Sequence, residues 1–313
     1  MKHYLVIDGG TTNTRVGLIQ NGAVIDVTKI NVGARANMQE KGLLESKLKS
    51  AIQDLLSRNH LEEKSIHRIL ASGMITSEFG LCHLEHLCTP ASIDELHAGM
   101  HETHLPDICS IPFVFLRGVK TASDDFTKVD IMRGEETELM GLASIGNESC
   151  IYILPGSHSK IIQMDAEGKI SDFCTMMSGE MIYALSQHTI LRDAVDLSIS
   201  ECDHDYLLRG YDFCHQVGVN QALFKTRILK NIFRATPEQV YSYFLGVVLA
   251  DEIDRILASD AQTVVIGGKS QIKTAMYILL THRSKKCVRI LSDEAVENSV
   301  FLGARRIFEY SCH

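Results

Sequence analysis

Asp8 opens a run in which no side chain is large: Gly9, Gly10, Thr11, Thr12 and Asn13 follow it, and Arg15 arrives as the next apolar stretch begins. Small residues let another molecule approach the backbone, and consecutive backbone N–H groups at such a turn attract phosphate. Asp8 can hold Mg2+ directly or through its waters, while Thr11, Thr12 and Asn13 add hydroxyl and amide groups. The competing reading is conformational, because Asp, Gly, Asn and Thr are common residues of any polar hairpin loop. Arg15 reads as structural, holding the turn closed through carbonyls or through Asp8. The run is no Walker-A loop, since no Lys-Ser or Lys-Thr follows its glycines, and it lacks the third glycine of a dinucleotide fingerprint.

A second turn of the same kind occurs in "CIYILPGSHSKIIQMDAEGKISDFCTMMSGE". Gly156 follows Gly9 by 147 positions (156 − 9), and Gly168 follows Gly22 by 146 (168 − 22), so two successive turns repeat at nearly one offset. An internal duplication of this kind decides the architecture before any single element does. With Pro155 at its head, the second turn has backbone donors together with Ser157, His158 and Lys160 to offer. A rival for His158 is a bond to its own backbone. Two lobes, each with a glycine turn after its first strand, would face each other across a cleft and clamp a polyphosphate.

The elements that must carry these turns are readable from periodicity. "HYLVIDG", "TRVGLIQNG" and "AVIDVTKI" are short and rich in Val and Ile, and Asn21-Gly22 between the last two is a hairpin signal. "GLLESKLKSAIQDLLSRN" has the three- and four-residue spacing of an amphipathic helix, and "HRILASGM" returns to strand. In the second half, "PEQVYSYFLGVVLADEIDRILAS" reads as one helix, "TVVIGG" as a buried strand, "SQIKTAMYILLTH" as a helix, "CVRIL" as a strand and "EAVENSVFLGARRIFEY" as a closing helix. The segment from about 130 to 147 contains "GEETELMGLASIG", a helix with an acidic start that joins the lobes. The expected fold is α/β, with duplicated lobes that are each a mixed sheet with helices. Residues 1–132 are assigned to an N-terminal lobe and 133–313 to a C-terminal lobe.

Composition narrows the function. The 313 residues are 45% apolar, enough for two lobes with real cores, and the net charge of −8 comes without any basic stripe of the kind that nucleic acid requires. No apolar run approaches the roughly 20 residues of a bilayer span, and the first strand begins within a few residues of Met1, so a cytoplasmic protein is expected. Nine scattered cysteines fit reduced thiols better than a disulfide framework. "CHLEHLC" (82–88) and "ECDHD" (201–205) bring possible metal ligands together, but neither has the second pair at fixed spacing that structural zinc uses.

Four motifs in order carry a family resemblance. "DGGTTNTR" resembles the first phosphate motif of the hexokinase, actin and Hsp70 superfamily in its sugar-kinase form. With "DIMRGEETELMG" (130–141), "LPGSHSK" (154–160) and "TMMSGE" (175–180), the first 180 residues resemble the 2-dehydro-3-deoxygalactonokinase family. The chain departs from that pattern in having no tryptophan, with Gly9 and Leu81 at two positions where the family often has one. It departs from the superfamily in Pro155, where other members place an acidic residue.

The resemblance implies an actin-like (ribonuclease H-like) fold and transfer of phosphate from ATP, with Mg2+, to the 6-hydroxyl of 2-dehydro-3-deoxy-D-galactonate. It implies a catalytic carboxylate just before or within the joining helix, among Asp130, Glu135 and Glu136, although the helix dipole favours acids there in any case. By the same resemblance, Arg133 is a partner for the substrate carboxylate, with a salt bridge to Glu136 or Glu180 as its alternative. Ser72, Gly73, Met74 and Ser77 are assigned to the sugar pocket, against a plain strand-to-loop transition. Gly179 and Glu180 of "TMMSGE" are placed with the substrate, and Gly267 and Gly268 of "VVIGG" fall at the adenosine-binding turn. The alternatives are a kinase for a neutral hexose or amino sugar, and a non-catalytic sugar-sensing nucleotide-binding protein. The partners expected are the sugar acid and ATP, with no nucleic acid and no membrane; a homodimer is left open.

Overall fold

The computed structural model describes residues 2–143, 148–268 and 271–311. Its contacts divide the chain into two units, one of Met1–Gly146, Glu167–Asp172 and Glu294–His313, the other of Asn147–Ala166 and Phe173–Asp293.

In the first unit, strand His3–Gly9 pairs antiparallel with Thr14–Gln20, in register from Gly9 opposite Thr14 to His3 opposite Gln20. Asn21 and Gly22 both have left-handed backbones (φ 53° and 86°), the two-residue turn whose twist suits a hairpin, and Ala23–Ile30 returns as the third strand. Ile66–Gly73 then lies parallel on the other side of the first strand, followed by Phe113–Phe115 and His101–Thr103, giving six strands. Helix Leu43–Arg58 buries Leu44, Leu48, Ala51, Ile52, Leu55 and Leu56, the stripe its spacing specifies, in one cluster with Leu5, Ile7, Ile69, Phe113 and Phe115. A small sheet of Leu87–Cys88, Val119–Lys120 and Ile131–Met132 leads into helix Glu135–Leu142.

The closing helix, Asp293–Phe308, packs on Glu135–Leu142. A Cβ on Gly141 would come within 1.9 Å of the Ser299 carbonyl oxygen, and one on Gly303 within 1.9 Å of that of Thr137. Two glycines let these helices touch backbone to backbone, so both belong to the first unit. The division expected at 132/133 therefore differs from the division of contacts, which keeps the joining helix and the last helix with the N-terminal strands. Residues 144–147 at the end of the joining segment lie outside the described residues.

The second unit repeats the wiring. Cys150–Leu154 pairs antiparallel with Ser159–Met164, the turn at Gly168 (φ 78°), in the stretch Glu167–Asp172 that counts with the first unit, leads to Ile170–Met176, and Thr263–Ile266 lies parallel beside the first strand, with Cys287–Ile290 next to it. Both sheets thus begin as a three-strand meander and continue with parallel strands, the first sheet ending on the antiparallel edge strand His101–Thr103, and the offset of 147 and 146 residues anticipates the shared part. The long apolar helix expected from 237 to 259 is two, Pro237–Val248 and Ala250–Leu257, meeting at Leu249. Their buried faces join Ile151, Ile153, Val264, Ile266 and Leu279 in one core. Helices His204–Val217 and Val219–Asn231 were not expected, although Asp203 of "ECDHD" is an N-cap in type and in fact, accepting the Tyr206 N–H at 3.0 Å. Among the described residues no helix is long and apolar enough to cross a membrane.

Candidate active site

In the first unit Asp8 stands next to last in its strand, opposite Arg15 on one side and Ser72 on the other. The Arg15 Nε and Nη2 both reach Asp8 Oδ2, at 2.8 and 2.7 Å, and its guanidinium lies 5.2 Å over the Phe301 ring. Arg15 is thereby a structural partner that fixes one carboxylate oxygen of Asp8. The turn closes on itself through the Gly10 N–H to the Asn13 carbonyl (2.9 Å). Ala34 and Arg35 donate to the Gly10 and Thr11 carbonyls from behind, and the side chains of Thr11, Thr12 and Asn13 stand in solvent.

Beneath the turn three motifs meet as bare backbone. Gly73 has φ 85°, and a Cβ there would lie 2.5 Å from the Gly9 carbonyl oxygen; a Cβ on Gly134 (φ 113°) would lie 3.2 Å from the Gly73 Cα. Gly9, Gly73 and Gly134 come from three separate sequence motifs and form one floor. Beside it the Ser72 hydroxyl is fully buried without a hydrogen-bond partner. Thr76 and Ser77 turn their hydroxyls back to the Gly73 and Met74 carbonyls, at 3.0 and 2.7 Å, while Met74 stays half-buried.

The acidic start of helix Glu135–Leu142 separates into distinct roles. Glu136 is fully buried and accepts the Gly134 N–H (2.8 and 3.0 Å) and the Thr137 hydroxyl (2.9 Å), so it fixes the glycine floor from inside and cannot meet a substrate. Burial, with the neighbouring Glu135 charge, pushes its carboxyl up to about 7. Glu135 is half-buried and accepts the Arg133 N–H at 3.0 Å. Asp130 is a hairpin residue that caps its own strand through the Ile131 N–H at 2.7 Å. Glu138 was missed, yet it shares a face with Glu135 by the three-residue rule. Burial and then the charges of Glu135 and Asp8 push it up to about 7 as well, while the Ser299 hydroxyl favours its ionised form. That coupling puts Asp8, Glu135 and Glu138 in one electrostatic neighbourhood.

A stability test follows from Glu136. Its folded-state value of about 7 lies above the ordinary 4.5, so the folded protein holds a proton there that the unfolded chain has released between those values. Stability is therefore lost as pH rises from about 4.5 to 7, with a slope of up to about 1.4 kcal/mol per pH unit from this group. Glu136→Gln should flatten that slope and gain relative to the parent at pH 8 more than at pH 5, read by urea melts across the range. A variant whose slope matches the parent's would remove Glu136 as the source.

Arg133 does not offer its fork to a ligand. Its Nη1 donates to the Thr76 carbonyl and hydroxyl, both at 2.7 Å, and its Nη2 to the Leu84 carbonyl at 3.0 Å and His86 Nδ1 at 3.3 Å. The expectation of a carboxylate partner is corrected accordingly: the guanidinium straps the loop 76–86 to the segment that precedes the joining helix. Burial and the adjacent Arg133 charge hold His86 neutral, at about 4, as its acceptor role requires. His86 and Arg133 thus account for part of "CHLEHLC", and His83 lies 3.5 Å from Glu85. Among the described residues no group of three or more His, Cys, Asp or Glu side chains could hold a metal ion.

In the second unit three more motif turns converge. A Cβ on Gly179 would lie 2.1 Å from the Gly156 carbonyl oxygen, the Glu180 N–H donates to the Ser157 carbonyl (3.1 Å), and His158 Nε2 lies 3.1 Å from Glu180 Oε1. From the other side a Cβ on Gly268 (φ 79°) would lie 2.8 Å from Pro155, and the Gly267 N–H donates to the Ile153 carbonyl. Gly156, Ser157, His158, Gly179, Glu180, Gly267 and Gly268 therefore form one surface. Gly268 sits against Pro155 as Gly73 sits against Gly9, the duplication expressed at the level of single residues. Lys160 is buried, on the strand that leaves the turn, in register with Leu154.

A family model for 2-keto-3-deoxy-galactonokinases matches residues 8–302, from Asp8 into the closing helix. The chain belongs to that family. It is 31% identical over 322 residues to DgoK1 of Rhizobium meliloti (strain 1021), a probable 2-dehydro-3-deoxygalactonokinase, covering 98% of each chain. It is 27% identical over 270 residues to the 2-dehydro-3-deoxygalactonokinase of Escherichia coli (strain K12), covering 84% of this chain and 85% of the relative. The crystal structure of a Sinorhizobium meliloti protein proposed to be a 2-dehydro-3-deoxygalactonokinase superposes with a TM-score of 0.79 at 24% identity, over 98% of this chain and 100% of that one. In this member of the 2-keto-3-deoxy-galactonokinase family, the motifs that suggest the family are the ones that meet at the two glycine-lined surfaces.

Proposed function

We propose that this chain is an ATP-dependent kinase that phosphorylates 2-dehydro-3-deoxy-D-galactonate at its 6-hydroxyl, with Mg2+ balancing the phosphate charge. Beyond family membership, the observation that carries this reading is the end of the first strand. There a carboxylate, an open glycine turn and a buried Ser72 hydroxyl without a protein partner lie together. That donor set suits a metal–nucleotide pair, which when bound supplies the phosphoryl group and the neutralising charge.

The residues divide as follows. Backbone N–H groups of Thr11, Thr12 and Asn13 in the first turn, and of Gly156, Ser157 and His158 in the second, are the phosphate donors, with Gly9 and Gly10 keeping the first turn open and Gly267 and Gly268 at the adenosine. Asp8 would hold Mg2+ directly or through its waters, with one of its oxygens fixed by Arg15. Glu135 takes the proton of the attacking hydroxyl: it is half-buried at the start of the joining helix, whereas Glu136 is sealed in and Asp130 caps a strand. In the first unit Gly73, Met74 and Ser77 line the sugar acid, beside the buried Ser72, and in the second Gly179 and Glu180 carry the family's substrate motif. The reading places the protein in the cytoplasm, where its cysteines stay reduced.

The test is ADP release measured with paired acceptors, the 2-keto-3-deoxy sugar acid against neutral hexoses and amino sugars, with and without Mg2+. The sugar acid should exceed every neutral acceptor in kcat/KM by at least about a hundredfold, the scale of an unmatched polar contact. Equal use of a neutral hexose would move the substrate class.

A further inference from the structure

The second unit holds a buried acid that no motif contains. Glu252, in helix Ala250–Leu257, is 0% exposed, and its two carboxylate oxygens accept separate hydroxyls: Oε1 that of Ser159, Oε2 that of Ser178. Ser159 follows His158 in the "LPGSHSK" turn, and Ser178 precedes Gly179 and Glu180 in "TMMSGE". The two hydroxyls are themselves buried. Burial raises the Glu252 carboxyl, and the two serine bonds oppose that rise.

We infer that Glu252 is a positioning residue that locks the second glycine turn to the "SGE" turn, setting the geometry of His158, Lys160 and Glu180 without touching a substrate. Each turn alone is a surface loop on the end of a strand or helix. Contacts between them near the surface include the Glu180 N–H to the Ser157 carbonyl, the exposed His158–Glu180 pair and the close approach of Gly179 to Gly156. Exposed pairs of that kind contribute little rigidity. A buried carboxylate gripping both segments from below is different, because a low dielectric strengthens each bond and leaves neither oxygen a solvent alternative. Ser159 also begins the strand that carries Lys160, so the same grip fixes where that buried cation emerges. The role rests on the kinase reading for its consequence, phosphate binding, but not for the bridge itself.

The test compares Glu252→Gln, Glu252→Ala and the double variant Ser159→Ala/Ser178→Ala with the parent. Gln keeps an acceptor and a donor that two hydroxyls can both use, whereas Ala keeps neither. Hydrogen exchange should show protection falling together in peptides covering 155–161 and 176–181 in Glu252→Ala and in the double variant, and largely retained in Glu252→Gln. In steady-state kinetics the same two variants should raise the KM for ATP by about tenfold or more while the KM for the sugar acid moves less, and Glu252→Gln should recover most of the difference. A general loss of folding lowers the active fraction and leaves KM unmoved, so the split separates the two. If Glu252→Ala does not fold, Glu252→Gln and the serine pair carry the comparison. Unchanged exchange in the two peptides would overturn the bridge, and an ATP KM within twofold of the parent's in the folded variants would overturn its role. A parent that fails to phosphorylate the sugar acid would count against the kinase reading alone, since the exchange result still decides the bridge.

Discussion

Asp8→Asn should lower kcat by about two to three orders of magnitude at saturating Mg2+, about 3–4 kcal/mol of lost transition-state stabilisation, while the melting temperature stays within a few degrees of the parent's. The side chain is half-buried at a strand end, its neighbours are bonded through backbone registers on both sides, and the isosteric amide keeps an oxygen for Arg15. What the amide loses is the charge that balances Mg2+ and holds its waters. Below saturating Mg2+ the loss should be larger still, because the defect lies in metal affinity as well as in the transition state. A kcat within threefold of the parent's would remove Asp8 from the metal site.

Arg133→Leu should cost about 2–4 kcal/mol of stability, because four protein acceptors lose their donor and two of them are backbone carbonyls of one loop. For a chain of this size that lowers the melting temperature by roughly 3–6 °C. Arg133→Lys should rescue little, since one ammonium cannot reach Thr76, Leu84 and His86 together. Activity should fall with the loop 76–86, and the KM values for ATP and sugar acid should rise together. A variant that melts like the parent while losing only sugar-acid affinity would restore the carboxylate role to Arg133.

The contrast between these two residues shows where sequence reasoning reaches. The place of Asp8, at the end of a strand and before a turn of small residues, is readable because it depends on immediate neighbours alone. Strands and hairpins were readable for the same reason, Asn21-Gly22 above all, and so was the duplication. Arg133 was misread because its partners lie 47 to 57 positions away, and nothing local says that a guanidinium is already occupied. The helix Asp293–Phe308 was legible as a helix, but its attachment to the first unit depends on Gly141 and Gly303 meeting carbonyls across a long stretch of chain. Glu252 was invisible in the same way, an ordinary acid on an amphipathic helix until the serines of two other segments are placed against it. Glu138 could have been found, since it shares a helix face with Glu135.

The central claim is tested most directly by 31P NMR of the product formed from ATP, Mg2+ and 2-dehydro-3-deoxy-D-galactonate. The account requires a phosphomonoester resonance split into a triplet by the two protons of C6, growing as ADP appears and growing at about a hundredth of that rate or less with Asp8→Asn. A doublet or an uncoupled ester would place the phosphate on another oxygen, and inorganic phosphate alone would make the chain an ATPase, contradicting the assignment.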